Sequence, residues 1–166
     1  MARITSILVP TDFSETADGA LDYAFVIGER FGAAVHLLHV LEDPLVAGGL
    51  SAEAYIAEAP AMRSAMLSDA RSRLAHRAIP RHTGAIVDGE VLFGHGAKTI
   101  ADYAQQRGVD LIVMGTHGRT GVAHLLLGSV AERLVRIAPC PVLTVRHPKA
   151  RTHHPELVYD VEHLPA

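Results

Sequence analysis

The sequence predicts an α/β domain: an open, doubly wound, five-stranded parallel sheet of Rossmann-like type with helices on both faces. Three observations carry that expectation. Short apolar runs of strand length alternate with stretches at helical spacing, in the order βαβ(α)βαβαβ. The apolar runs are nearly continuous, as expected of strands covered on both faces. Right-handed crossovers between parallel strands then place helices above and below the sheet.

Each element has its own signal. Ile4–Val9 is a short apolar run closed by Pro10 and reads as the first strand. Ala17, Ala20, Leu21, Ala24, Phe25, Gly28 and Phe31 form a helical stripe that ends at Gly32. Ala34–Leu41 is the second strand, with His36 and His39 interrupting its apolar run. From Glu42 to about Met62 the pattern is unclear, with Gly48-Gly49 and Pro60 inside it. Met62, Met66, Ala70, Leu74 and Ala78 are then spaced by four, which predicts a helix ending before Pro80. Ala85–Phe93 reads as the third strand, although Asp88-Gly89 also suits a hairpin turn within it. Ala97, Ile100, Ala101 and Ala104 mark a helix that stops at Gly108. Leu111–Met114 is a strand closed by Gly115, and Val130, Ala131, Leu134, Val135 and Ala138 define the last helix. Val142–Val145 is the fifth strand. No internal repeat is present, and the polar, Pro-punctuated segment His147–Ala166 reads as a tail.

Composition narrows the function. A chain of 166 residues, 49% apolar and 20% charged, is expected to form one compact domain with a sizeable core. The formal charge of −3 gives no basic field for nucleic acid or anionic membrane. No apolar run approaches the ~18 residues of a membrane span, and Met1–Arg3 followed by Ile4 does not resemble a secretory signal. A cytoplasmic protein is the expectation. Cys140 is the only cysteine, so neither an internal disulfide nor a cysteine-based zinc site is available. Its place between two prolines favours packing over catalysis.

In a doubly wound sheet, ligands bind beyond the carboxyl ends of the strands, at the switch point in strand order. Pro10-Thr11-Asp12, the exit at Val40-Leu41-Glu42, and Gly115-Thr116-His117-Gly118 all follow strand ends. After Gly118, nine residues lead to Gly128-Ser129 at the start of the last helix. Glycines there admit close backbone approach, and a helix amino terminus offers unpaired N–H groups and a positive dipole end. The spacing therefore describes an anion cradle. Two plainer readings stand beside it. Ser129-Val130-Ala131-Glu132 fits a capping box, with the glycines as ordinary turn residues. Asp12 suits a helix N-cap, with Glu15 three residues on.

Other motifs fail. Gly89 and Gly94 have P-loop separation, but His95 stands where lysine is needed. Gly115, Gly118 and Gly121 run at intervals of three, which is not the dinucleotide fingerprint. There is no H-E-x-x-H, and Ser129 lacks a nucleophile-elbow context. His36 and His39, inside a strand, read as structural, and the tail pair His153-His154 lacks a rigid frame for metal.

The pattern Gly115-x2-Gly118-x9-Gly128-Ser129 resembles the signature of the ATP-binding branch of the universal stress protein (UspA-like) family. Ile7–Ser14, Leu111–Arg119 and Pro139–Leu143 resemble further segments of that family, at its spacing, and the likeness spans about residues 3–146. The domain is accordingly drawn as 1–146 and the tail as 147–166. The resemblance implies strand order 3-2-1-4-5. It also implies that Asp12 contacts the ribose, with Pro10 and Thr11 shaping the wall. The Val40 backbone would read the adenine edge and Met114 would line the base pocket. Gly115, Gly118, Gly128, Ser129 and Val130 would hold ribose and phosphates, with Thr116, His117 and Arg119 nearby. ATP is the implied ligand, with AMP or ADP as variants, and Mg or Mn could bridge the phosphates. Where the family usually has Gly-x-Pro-Ala, this chain has Gly94-His95-Gly96-Ala97.

The function so implied is a nucleotide-dependent stress or signalling regulator. No Walker lysine or activated nucleophile is evident, so turnover should be weak at most. A slow ATP hydrolase, a nucleotidyl-transfer enzyme and a ligand-free interaction module are the alternatives. Val142–Val145 falls at a sheet edge in the implied order, carries no charge, and is expected to pair with a second copy as a homodimer.

Overall fold

A computed structural model describes residues 3–42, 52–78, 87–116 and 128–146, with side chains of the second helix from Ala59 onward. The elements are β1 (Ser6–Pro10), α1 (Glu15–Phe31), β2 (Ala34–Leu41), α2 (Ala52–Ala78), β3 (Val87–Phe93), α3 (Gly96–Arg107), β4 (Leu111–Gly115), α4 (Ser129–Ile137) and β5 (Val142–Val145). The five strands form one sheet in the order β3-β2-β1-β4-β5. Every neighbouring pair is parallel. The sequence expectation of a doubly wound sheet holds.

Side-chain alternation along β1 explains the continuous apolar runs. Ile7 and Val9 point into one core with Ala20, Leu21 and Phe25 of α1 and Ala70 and Leu74 of α2. Leu8 points the other way, into a core with Ile100 and Ala104 of α3 and Ala131 and Leu134 of α4. Ile7, Leu8 and Val9 are fully buried on the two faces, so both sets of alternate residues in this stretch of β1 are apolar. Cys140 packs at the margin of the α3–α4 core, and burial raises its thiol pKa. That suits packing and not reactivity.

Helix boundaries follow local chemistry. Ser14 caps α1, its Oγ accepting from the Ala17 N–H at 3.2 Å. Gly32 and Gly108 end α1 and α3 in the left-handed conformation, at φ of 66° and 61°. Asp12 is therefore not the cap of α1; its Oδ1 accepts instead from the Ser14 N–H at 3.1 Å. Two further sequence readings are corrected. α2 begins at Ala52 and runs through Pro60, where the sequence pattern placed its start near Met62. Proline removes one helical hydrogen bond, but Pro60 is exposed, where water can satisfy the orphaned carbonyl. β3 shows no hairpin at Asp88-Gly89; both residues pair in parallel with His36 and Leu37. The tail lies outside the described residues.

Candidate functional site

The carboxyl ends of β1, β2 and β4 converge with the amino ends of α3 and α4 on a cleft of about 280 Å³. The turn after β1 contributes Pro10, Thr11 and Asp12, and β2 contributes Val40. Met114, Gly115 and Thr116 enter from β4, and Gly128, Ser129 and Val130 from the start of α4. The structure thus brings together all the described residues that the sequence singled out. His117, Gly118 and Arg119 lie outside the described residues.

The start of α4 differs from a capping box. Its N-cap is Gly128, which has no side chain to accept from the first turn, and Ser129 is already helical. Glu132 turns away to Arg136, at 2.7 Å. α3 begins in the same way: its N-cap His95 makes no side-chain capping bond, and its first turn holds no acidic residue. Both helices therefore present amino termini without side-chain caps beside one cleft.

The glycines do different work. A Cβ on Gly115 would stand 2.8 Å from Cγ2 of Thr16 and 3.1 Å from its backbone carbon. Gly115 is therefore required by the packing of α1 on β4, and not only by access to a ligand. A Cβ on Gly96 would lie 3.3 Å from Cγ2 of Val130, a close contact between α3 and α4 that a small shift of that side chain relieves.

The β1 turn is held from behind. Thr11 donates its N–H to the Leu38 carbonyl at 2.9 Å. Its own carbonyl accepts from His39 Nδ1 at 2.7 Å, which assigns the proton to that nitrogen. His39 is thus structural, as its place in a strand implied, yet it also lines the cleft. Leu38, Gly96, Ile100 and Ala131 are lining residues that the motif reading missed. Leu38 was within reach, since it shares a strand face with Val40.

No described helix is long and apolar enough to cross a membrane. Comparison with known proteins agrees with the fold. The model of the universal stress protein family matches residues 3–146. The chain is 37% identical over 144 residues to universal stress protein MJ0531 of Methanocaldococcus jannaschii, covering 86% of this chain and 82% of that one. It is 31% identical over 154 residues to universal stress protein MJ0577 of the same organism, covering 84% and 93% of the two chains. The solved structure of MJ0577 superposes with a TM-score of 0.73, covering 86% of this chain and 95% of that chain. UspA from Lactobacillus plantarum gives a TM-score of 0.65 at 34% identity, over 88% of this chain and all of that one. A universal stress protein solved in complex with cAMP shares the fold at 22% identity and a TM-score of 0.57. With sheet order, loop sequence and relatives in agreement across nearly its whole length, the chain belongs to the universal stress protein family.

Proposed function

We propose that the cleft binds an adenine nucleotide, with ATP as the ligand, and that the protein acts as a nucleotide-dependent regulator. The observation that carries this reading is the pair of helix starts, α3 and α4, without side-chain caps beside one cleft. Unpaired N–H groups and two dipole ends favour an anion there. Ile100, Met114 and Val130 offer apolar surface for a base alongside it. Asp12 also lines the cleft and is assigned to the ribose through the family resemblance. Gly118, His117 and Arg119 enter this assignment through the family resemblance alone.

Asp12 is the only carboxylate among the described lining residues. Divalent ions of the Mg or Mn class need several oxygen ligands, so such an ion would arrive on the phosphates and not in a protein cage. Turnover is at most slow, because no Walker lysine follows the glycines. The domain is assigned to residues 1–146 and the location to the cytoplasm. β5 is an edge strand with no charged residue, and Leu143 is 37% exposed on it. Pairing of two β5 edges across a two-fold axis gives a homodimer.

Thermal unfolding of the purified chain with ATP, with GTP and without nucleotide tests the proposal. A rise with ATP that GTP does not match supports it. Equal midpoints in all three at millimolar nucleotide favour the ligand-free interaction module.

A further inference from the structure

We infer that Arg77, on the far side of the sheet from the cleft, is a positioning residue for Asp12 and couples the last turns of α2 to the state of the site. The inference rests on the nucleotide reading above and adds a route by which occupancy reaches another face of the protein.

The starting point is Phe13. It is the only described non-glycine residue with positive φ, at 66°. L-residues adopt that conformation only when their surroundings hold it. Here the surroundings are unusually complete. The Phe13 N–H donates to Thr11 Oγ1 at 3.0 Å, and its carbonyl accepts from Arg77 Nη2 at 3.2 Å. Its ring lies 4.3 Å from the His39 ring, and the Arg73 and Arg77 guanidinium carbons sit 4.1 and 4.9 Å from its centroid. These are stacking and cation–π distances.

Asp12 is therefore bracketed. The carbonyl before it is held by His39 Nδ1, and the carbonyl after it by Arg77. Its own Oδ1 accepts from Ser14. The direction of its carboxylate follows from the backbone on either side, and that backbone is fixed on one side by His39 of β2 and on the other by Arg77 of α2. Neither Arg77 nor Phe13 is among the described residues that line the cleft.

Arg77 suits this role in a way lysine would not. Its Nε and Nη2 meet the two oxygens of Asp18 at 2.7 and 3.3 Å, while Nη2 also reaches Phe13. A planar fork can span a carboxylate and a carbonyl together; a lone ammonium cannot hold that geometry. The pair is partly sheltered, with side-chain exposures of 22% and 29%. It joins α2 to α1 across the top of the β1 turn.

Linkage makes the coupling reciprocal. Whatever Arg77 adds to nucleotide affinity by fixing Asp12, a bound nucleotide adds to the Arg77 clasp. The stretch of α2 around Arg73 and Arg77 then becomes a surface whose stability reports occupancy, which is what a regulator needs for an output.

The test is a double-mutant cycle read by ATP titration of the full chain. Arg77→Met, which keeps the stem and loses the hydrogen bonds, should weaken binding about tenfold. In an Asp12→Ala background the same change should have no further effect. Equal loss in both backgrounds would mean Arg77 is merely structural, and would overturn the proposal. Asp18→Asn, which loosens the fork and leaves Phe13 in reach, gives the same comparison if Arg77→Met does not fold. Hydrogen exchange supplies an independent readout: ATP should slow exchange over residues 70–78 in the native chain and less so in Asp12→Ala. A chain that binds no ATP defeats the nucleotide reading and this role with it. A chain that binds ATP through Asp12 but is indifferent to Arg77 and Asp18 defeats only the positioning role.

Discussion

Gly128 donates its backbone N–H to the Thr116 carbonyl at 2.6 Å. Thr116, 2% exposed, donates its own N–H to the Val145 carbonyl at 2.8 Å. The exit of β4, the end of β5 and the start of α4 are thus pinned together. Segment 117–127 departs from and returns to two groups already in contact. The two described groups that flank this segment, Thr116 and Gly128, are thus fixed to each other at the edge of the proposed site.

Gly118→Val should abolish ATP binding without unfolding the domain. A branched side chain would replace hydrogen where the proposed phosphates approach. At 100 times Kd, ATP should stabilise the native chain by about 2.7 kcal/mol, and thermal unfolding should show no such gain in the variant. Normal stabilisation of Gly118→Val would remove this residue from the cradle.

Ser129→Ala separates capping from ligand contact. Because Gly128, not Ser129, is the N-cap of α4, ligand-free stability should change by less than about 0.5 kcal/mol. ATP affinity should fall by the worth of one hydrogen bond, about 1 kcal/mol. A large loss of ligand-free stability would restore the capping-box reading.

Gly115→Ala should destabilise the fold by roughly 1–3 kcal/mol, because the added methyl meets Thr16 at 2.8 Å and its backbone at 3.1 Å. Gly96→Pro should act in the opposite sense. Position 96 is the first residue of α3, where proline is favoured, and His95 before it is extended at φ −97° and ψ 101°. The methylene that would touch Val130 meets the end of a side chain 40% exposed, which can move aside. Chemical denaturation should show a gain of about 0.5–1 kcal/mol.

Asp110 sets part of the acid limit. Its Oδ2 accepts from the Thr5 N–H and Oγ1, both at 2.8 Å, and from the Ser6 N–H at 3.1 Å. Those bonds, chiefly to the Thr5 backbone, hold its pKa below 3.8. A carboxyl depressed in the folded state contributes stability above its unfolded pKa and loses it as pH falls through the folded one. Below pH 3.8 the native chain should therefore lose stability more steeply than Asp110→Asn, measured by denaturation at stepped pH. Parallel slopes would show that the Asp110 bonds do not contribute to acid unfolding.

Much of this was legible in the sequence because physical constraints there were local. Strands buried on both faces leave continuous apolar runs, and Gly32 and Gly108 mark helix ends that few other residues can make. The described candidate residues from Pro10 to Val130 line one cleft, and their place near strand ends and the family resemblance pointed to them. What escaped was tertiary. Pro60 gave a stop signal that exposure made tolerable. Ser129 and Glu132 carried a capping box that Gly128 and Arg136 displaced. Gly115 read as room for a ligand when part of its reason is Thr16, a neighbour 99 positions away in sequence and beside it in space. The clasp of Arg77 on Phe13, |i−j| of 64, has no sequence signature at all.

Light scattering on the full chain and on a chain ending at His147 checks the dimer. Twice the monomer mass in both supports β5 pairing with its own copy. A full-length monomer that associates only after truncation would assign the edge to the tail instead.

In the proposed site one ATP binds per chain, in the cleft between Asp12 and the start of α4. Isothermal titration of the native chain with ATP tests it most directly. One site per chain is expected, with Kd on the order of micromolar, about −8 kcal/mol, and a markedly weaker site in Asp12→Ala. No binding at millimolar ATP, or binding that Asp12→Ala leaves unchanged, would contradict it.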